Sequence, residues 1–392
     1  METKVSKRSV DSMQENHDGL QHRLCTSEVS WSEPTVLGHR LFFAATAQSV
    51  VQTLTGGISP LREEYMMKVK GLVSAMALAV GISTAAAAET SIGVVVKIGG
   101  IPWFNAMQDG IERRAKELGV EAEMIGPVSA DPSLQVQAIE DLIAKGVDVI
   151  GVVPNDEAAL EPVLKKARDA GIIVISHEGP GLENVDWNFE LASAEGFGEA
   201  HAKLLSDETP DGGKYAVYVG SLTVPLHNAW ADAAIAWMDA NRPDIKIVGD
   251  RYGVAENVDD SRSTALDLIA ANPDLKGFLA FGSQGPIGAG RAVEERRKTG
   301  EIHVMGPFSP GQGRKMIHSG VLTGGFMWNP AQAGEVFVTL GDMLANGEKI
   351  EAGMNVPGLG VIDPDFEHRD IITDNLLEIN KTTVDDLADK GL

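Results

Sequence analysis

The sequence predicts an α/β protein of two doubly wound lobes, and three observations carry that expectation. From Ser91 onward, short β-rich runs alternate with amphipathic helical stretches. The β-rich runs are continuous apolar segments rather than apolar–polar alternations, the pattern of parallel strands covered on both faces. The alternation comes as two successive sets, each sufficient for a lobe. About 300 residues follow the leader described below, a length at which chains commonly divide into two cores.

In the first set, "SIGVVVK" from Ser91 reads as a buried strand and residues 106–118 as a helix closed by Gly119. "VEAEMIG" is a strand, and residues 133–145 form a helix ended by Gly146. "VDVIGVVP" is a strand, residues 156–170 a helix, and "GIIVISH" a strand again. Glycine closes these helices because it adopts the left-handed conformation of the C-terminal cap at little cost. In the second set, "KYAVYVG", "IKIVGDRYG", "LKGFLAFG" and "IHVMGPF" are the strands, and residues 228–241, 261–272 and 285–298 the helices between them. The remaining segments, "LTGGFMWNPAQAGEVFVTLGDMLANG" among them, are too few for a third lobe and are expected to return to the first two.

The stretch "MMKVKGLVSAMALAVGISTAAAAET" begins at Met66. Lys68 and Lys70 precede an apolar run from Gly71 to Ile82 interrupted only by Ser74, and Ala86-Ala87-Ala88 offers small residues for cleavage. That is the three-part pattern of a secretory signal, and the run is shorter than the roughly 20 residues a membrane-spanning helix needs. Residues 66–88 are therefore read as a signal peptide cleaved after about Ala88, which places the rest of the chain in the periplasm. Residues 1–65 show no sustained periodicity and hold Cys25, the single cysteine. Arg62-Glu63-Glu64 can be encoded by a purine-rich string resembling a ribosome-binding site, just upstream of Met66 and Met67. Translation is expected to begin at one of those methionines, leaving residues 1–65 an untranslated or disordered extension.

The first 88 residues carry equal numbers of acidic and basic side chains, so the whole formal charge of −23 falls on the remainder. Such a surface repels nucleic acid and anionic lipid, and neither is an expected partner. With Cys25 set aside, the exported part has no cysteine and no disulfide framework.

Catalytic signatures are missing. "HEGPG" at His177 lacks the second histidine of a zincin helix, and "FGSQG" has Phe281 where a nucleophile elbow needs glycine. No phosphate-binding loop of the G-x-x-x-x-G-K-[ST] type occurs, and the histidines are scattered without ligand spacing. Neither a metal nor a cofactor is expected, and no catalytic residue is assigned.

In open α/β sheets, ligands bind beyond the carboxyl ends of the strands. There the sequence places Lys97, Trp103 and Phe104 after the first strand and Glu178 after "GIIVISH". His227 and Asn228 follow "KYAVYVG", Ser283 and Gln284 follow "LKGFLAFG", and Phe308 follows "IHVMG". Each also has a plainer reading as a core, capping or solvated side chain. Trp187 and Trp328 are read as hinge or packing residues, and Asp156 as a helix cap. Aromatic faces beside hydrogen-bonding groups suit a sugar or polyol, whose C–H faces lie on rings while its hydroxyls need donors and acceptors.

The segments "VVVKIGGIPWFNAMQDGIERRAKELG", "VDVIGVVPNDEAALEPVLKKARDAGIIVISHE" and "LLEINKTTVDDLADKGL" resemble the bacterial periplasmic sugar-binding proteins of ABC importers, in the ribose-binding superfamily (periplasmic binding protein type I). "GGFMWNPAQAGEVFVTLGDML" is most similar to the branch holding the autoinducer-2-binding and rhamnose-binding proteins. The resemblance implies two Rossmann-like lobes joined by three crossover strands near residues 193, 307 and 348. The N-terminal lobe would then comprise residues 89–193 and 308–347, and the C-terminal lobe residues 194–307 and 348–392. It further implies that Trp103 and Phe104 match an aromatic pair that sandwiches the sugar, that Lys97 matches a lysine of the autoinducer-2 binders, and that Glu178 stands where those groups carry aspartate. Leu226 and His227 replace that branch's Asp-Gln pair, and Phe281 and Ser283 its Pro-x-Ala. The ribose-type Asn-Asp is replaced by Gly282-Ser283.

The expected function is a non-catalytic, monomeric solute-binding protein. It would close on a sugar, deoxysugar or sugar alcohol and present it to a membrane permease driven by ATPase subunits, with a chemoreceptor as a further partner. The alternatives are an autoinducer-2-type signal binder, a periplasmic carbohydrate-active enzyme with Glu178 as its lone candidate, or a repressor of the same architecture. A repressor would need a basic helix-turn-helix before the first lobe, where the acidic, aperiodic residues 1–65 stand.

Overall fold

Residues 89–392 are described by a computed structural model. The expected extension with Cys25, the start at Met66 or Met67, and the signal peptide lie outside the described residues. The first run of elements is β1 (Ser91–Val95), α1 (Pro102–Leu118), β2 (Glu121–Ile125), α2 (Pro132–Lys145), β3 (Val149–Val152), α3 (Glu157–Asp169), β4 (Ile173–His177) and β5 (Trp187–Glu190). The second is α4 (Ala194–Glu208), β6 (Gly213–Val219), α5 (Pro225–Asn241), β7 (Ile245–Gly253), α6 (Val258–Ala271), β8 (Leu275–Phe281), α7 (Gly285–Glu295) and β9 (His303–Met305). The remainder supplies α8 (Pro310–Ser319), β10 (Gly325–Met327), α9 (Pro330–Ala345), β11 (Asn355–Val356), β12 (Gly360–Val361), β13 (Asp370–Ile372), β14 (Leu377–Ile379) and α10 (Val384–Asp389).

Two parallel sheets result, as expected. The first runs β13-β5-β4-β3-β1-β2 and the second β7-β6-β8-β9. In both, the earliest strand lies between the second and third, so each sheet has a switch point where a crevice opens beyond the strand ends. Helices begin where side chains accept the free backbone N–H groups. Asp131 accepts from Ser133, Ser193 from Gly196, and Asp156 from Ala159, the capping role expected of it. Gly119 and Gly146 take left-handed conformations (φ 70° and 73°) at the ends of α1 and α2. Helices α1 and α5 start earlier than expected, at Pro102 and Pro225, because proline fits the first helical turn, where its missing N–H costs nothing.

The crossings differ from expectation in two of three places. The first passes Leu191–Ser193, between β5 and α4. Helix α8, assigned to the N-terminal lobe by sequence, packs instead on α7 and α10 beside the second sheet. The second crossing is therefore β10 rather than residue 307. Residues 370–372, assigned to the C-terminal lobe, form the edge strand β13 of the first sheet, paired with β5 at Asp370↔Asn188. The third crossing moves from 348 to the stretch entering β14, which pairs antiparallel with β10. The segments run together: Thr373 N–H donates to Glu190 O at 2.9 Å and Asn375 N–H to Leu191 O at 2.8 Å. The misreading is physical, because these positions are fixed by pairing between strands distant in sequence rather than by local punctuation.

Helix α9 returns to the first sheet and crosses α1 at close range. A Cβ at Gly110 would collide with the Ala331 carbonyl, and one at Gly334 with the Met107 carbonyl, so glycine on each helix lets the backbones touch.

Candidate functional site

The carboxyl ends of both sheets converge on one cluster of ionisable side chains. Lys97 leaves the end of β1 in a loop pinned from below. Gln135 Nε2 donates to Val96 O (3.1 Å) and Val153 O (2.8 Å), and Asn155 Nδ2 donates to Lys97 O (2.9 Å). Glu178 stands one residue past β4 with a left-handed backbone, φ 61°, a conformation uncommon outside glycine and often retained at ligand sites. From the second lobe come His227, in the first turn of α5, and Glu256, just beyond β7. Lys97 Nζ lies 2.5 Å from Glu178 Oε2, 2.8 Å from His227 Nε2 and 3.4 Å from Glu256 Oε1. All four side chains are buried.

Burial opposes the Lys97 charge, but Glu178 and Glu256 outweigh it and hold the lysine pKa above its ordinary value. Burial likewise opposes the Glu178 carboxylate, yet Lys97 and His227 beside it keep that group well below the usual carboxylate range. For His227, burial and the Lys97 charge prevail, lowering the pKa and favouring the neutral ring. With His227 neutral, one lysine and two glutamates leave the cluster a formal charge of −1.

Aromatic rings enclose these groups. Trp103 meets Trp328 edge-on at 5.4 Å, Trp230 lies 5.2 Å from Trp328, and His227 stacks on Trp230 at 5.0 Å. Between them is a cavity of ≈ 20 Å³, walled by Lys97, Trp103, Phe104, Glu178, His227 and Ser283, and completed by Trp230, Glu256, Gly282, Pro307 and Trp328. That volume holds about one water molecule. The lobes are thus shut, and Thr223 Oγ1 donates across to Asn155 O at 3.0 Å. Three polar atoms of the wall residues are buried without a hydrogen-bond partner: Glu256 Oε1, Trp230 Nε1 and Trp328 Nε1. The 3.4 Å approach of Lys97 to Glu256 is an ion pair whose geometry falls short of a hydrogen bond.

Six of the nine residues singled out in the sequence meet at this cavity, and three do not. Asn228 clamps the preceding loop through Ser221 O (3.1 Å) and Val224 O (2.7 Å) and receives Arg251. Gln284 turns away from the cavity and exchanges hydrogen bonds with Gln312, the shorter 3.0 Å. Phe308 is wholly buried in the second lobe, and a Cβ on Gly313 would strike its ring. It is a core residue, and Pro307 before it takes the wall. Sequence reasoning missed Trp230 and Glu256, and read Trp328 as a hinge or packing residue. Trp230 follows His227 by three positions, the spacing of one helix face, and Glu256 obeys the strand-end rule that found Glu178.

A model of the periplasmic binding protein domain matches residues 92–349. The ribose import binding protein RbsB of Escherichia coli (strain K12) is 24% identical over 299 residues, covering 73% of this chain and 95% of that protein. The D-allose-binding periplasmic protein of the same organism is 28% identical over 272 residues, covering 64% and 84%. Among solved structures, LsrB from Clostridium saccharobutylicum in complex with AI-2 superposes with a TM-score of 0.71 at 18% identity, covering 76% of this chain and 99% of that one. An ABC transporter solute binding protein from Clostridium phytofermentas with bound L-rhamnose gives 0.72 at 23%, covering 78% and 99%.

Proposed function

The chain belongs to the periplasmic binding protein family, and from that premise we propose that it is the solute-binding component of an ABC importer, taking a sugar, deoxysugar or sugar alcohol between its lobes. The observation that carries this reading is the cavity itself, where charged and hydrogen-bonding groups from both lobes meet inside a wall of aromatic rings. Relatives named for ribose and allose, and a structural neighbour holding L-rhamnose, support the ligand class. A likeness to the AI-2-bound neighbour supports the signal-binding reading to the same degree in fold only.

A cavity of ≈ 20 Å³ has no room for a monosaccharide, so the ligand enters with the lobes apart. Opening pulls Lys97 from His227 and Glu256, and Thr223 from Asn155, all contacts between lobes. Closure then brings the two lobes together on the ligand, a hinge motion in which the ligand stabilises the shut state by touching both halves. The shut form is what a permease, and a chemoreceptor, would recognise. Periplasmic location follows the family, with the signal peptide removed after about Ala88. A thermal-shift screen of the purified protein over pentoses, hexoses, deoxysugars, polyols and autoinducer-2 tests the reading, because ligand binding raises apparent stability. A rise with one of the first four classes is expected; a rise with autoinducer-2 alone would replace the sugar reading.

A further inference from the structure

The His227 ring receives two demands that a neutral imidazole cannot meet together. Gly220 N–H donates to Nδ1 at 3.0 Å, so that nitrogen carries the lone pair and the ring proton sits on Nε2. Yet Nε2 lies 2.8 Å from Lys97 Nζ, and an ammonium has donors only. Moving the proton to Nδ1 would satisfy Lys97 and set two donors against each other at Gly220. Protonating both nitrogens is opposed by burial and the adjacent lysine charge, and would leave both conflicts in place. Glu178 Oε2 offers little relief, standing 3.5 Å from Nε2 while engaged by Lys97 at 2.5 Å. The shut cluster therefore sets donor against donor, with the unpartnered acceptor Glu256 Oε1 close by.

We propose that the ligand enters this cluster as an uncharged hydroxyl that separates Lys97 from His227, and that the site accepts neutral polyols while excluding sugar acids and sugar phosphates. This rests on the sugar-binding reading above. A hydroxyl oxygen has two lone pairs and one proton, the complement of what the site offers. It accepts from Lys97 Nζ and from His227 Nε2–H, and it donates to Glu256 Oε1. The indole N–H groups of Trp230 and Trp328, also unpartnered, are donors for further ligand oxygens. Charge settles the rest. A carboxylate or phosphate would add further negative charge beside Glu178 and Glu256, in a buried site already at a formal −1 where like charges repel strongly. His227 is then the specificity-determining donor, and its tautomer is fixed by the Gly220 backbone before any ligand arrives.

The test uses calorimetry with D-ribose, D-allose and L-rhamnose, and with D-galacturonate, D-gluconate and a phosphorylated ribose. Wild type should bind at least one neutral sugar and none of the three anions. For the best neutral binder, His227→Phe should weaken affinity roughly ten- to a hundredfold through the lost donor. His227→Gln, which keeps one acceptor and one donor, should retain binding within roughly tenfold. Nitrogen-detected histidine NMR of the free wild-type protein should find His227 protonated at Nε2, a reading that depends on no ligand or variant. The inference is overturned by an anion bound more tightly than the neutral sugars, by undiminished binding in His227→Phe, or by a proton on Nδ1. Failure of all six compounds to bind, with the Nε2 tautomer confirmed, would instead overturn the sugar reading and this inference's ligand with it.

Discussion

Acidification should loosen the junction between the second lobe and the crossing strands, because His201 cannot take up a proton where it sits. The side chain lies on α4, wholly buried, with its ring against Phe197, Phe281 and Phe326. Nδ1 donates to Phe197 O at 2.9 Å, and Nε2 accepts from the backbone N–H of Phe326 at 3.0 Å, within β10. Burial lowers its pKa from 6.5 to about 4, only partly offset by the hydrogen bond to Phe197. The unfolded chain therefore binds a proton at this residue over an interval in which the folded chain does not. Stability from His201 is intact above pH 6.5 and is lost as the pH falls toward 4. At about 1.4 kcal/mol per pH unit, that interval corresponds to about 3 kcal/mol. Other groups titrate in the same window, so the informative quantity is the difference between wild type and His201→Gln in urea unfolding at a series of pH values. Near neutrality the variant should be less stable by about 1–3 kcal/mol, having lost ring packing and well-formed hydrogen bonds. The difference should move by about 3 kcal/mol in the variant's favour on descending to pH 4, erasing or reversing the deficit, because glutamine carries no penalty for staying neutral. Parallel curves, with the difference constant across the range, would refute the reasoning.

Three further outcomes follow from the structure. Lys97→Met should cost about 3–5 kcal/mol of stability near neutral pH, because it strands Glu178 and Glu256 in a buried site. Burial would then raise the Glu178 pKa, so urea midpoints of the variant should rise on mild acidification, whereas the wild-type contribution fades only as the pH drops through that group's low folded value. Gly334→Val should lower the free energy of unfolding by about 1–3 kcal/mol or more by forcing α9 off α1, and an unchanged urea midpoint would contradict the close crossing of the two helices. Trp103→Ala should remove about 2 kcal/mol or more of ligand affinity in calorimetry while leaving the far-ultraviolet dichroism intact.

The fold was legible where a physical signal is local. Parallel strands buried on both faces announce themselves as unbroken apolar runs, and Gly119 and Gly146 mark helix ends because few other residues take positive φ. The same locality made Lys97, Glu178 and Ser283 visible as the first polar groups past strand ends, and His227 as the polar group in the helical turn beyond another. Glu256 escaped because β7 is a partly exposed edge strand carrying the charged Asp250 and Arg251, and its end looks like ordinary surface. Trp328 escaped for another reason. It follows β10, whose role depends on pairing with residues 377–379, and nothing within the segment reports that partner. Strand β5, "WNFE", was too short and too polar to be read as a strand, yet Asn188 and Glu190 are buried in it, with Asn188 Nδ2 donating to Glu190 and Asp370.

The interleaving of the lobes also governs the order in which the molecule can be finished. Strand β13 joins the first sheet from a position 182 residues beyond its partner Asn188, and Leu392 O accepts from Gly311 N–H beneath α8. Neither half is complete while its sequence-local portion alone has left the ribosome. The first waits for an edge strand, and the second for the short helix that seats against α8. Contacts of such long sequence separation form late and slowly, so translation should run ahead of folding. The nascent chain would then stay pliable until residues 370–392 arrive.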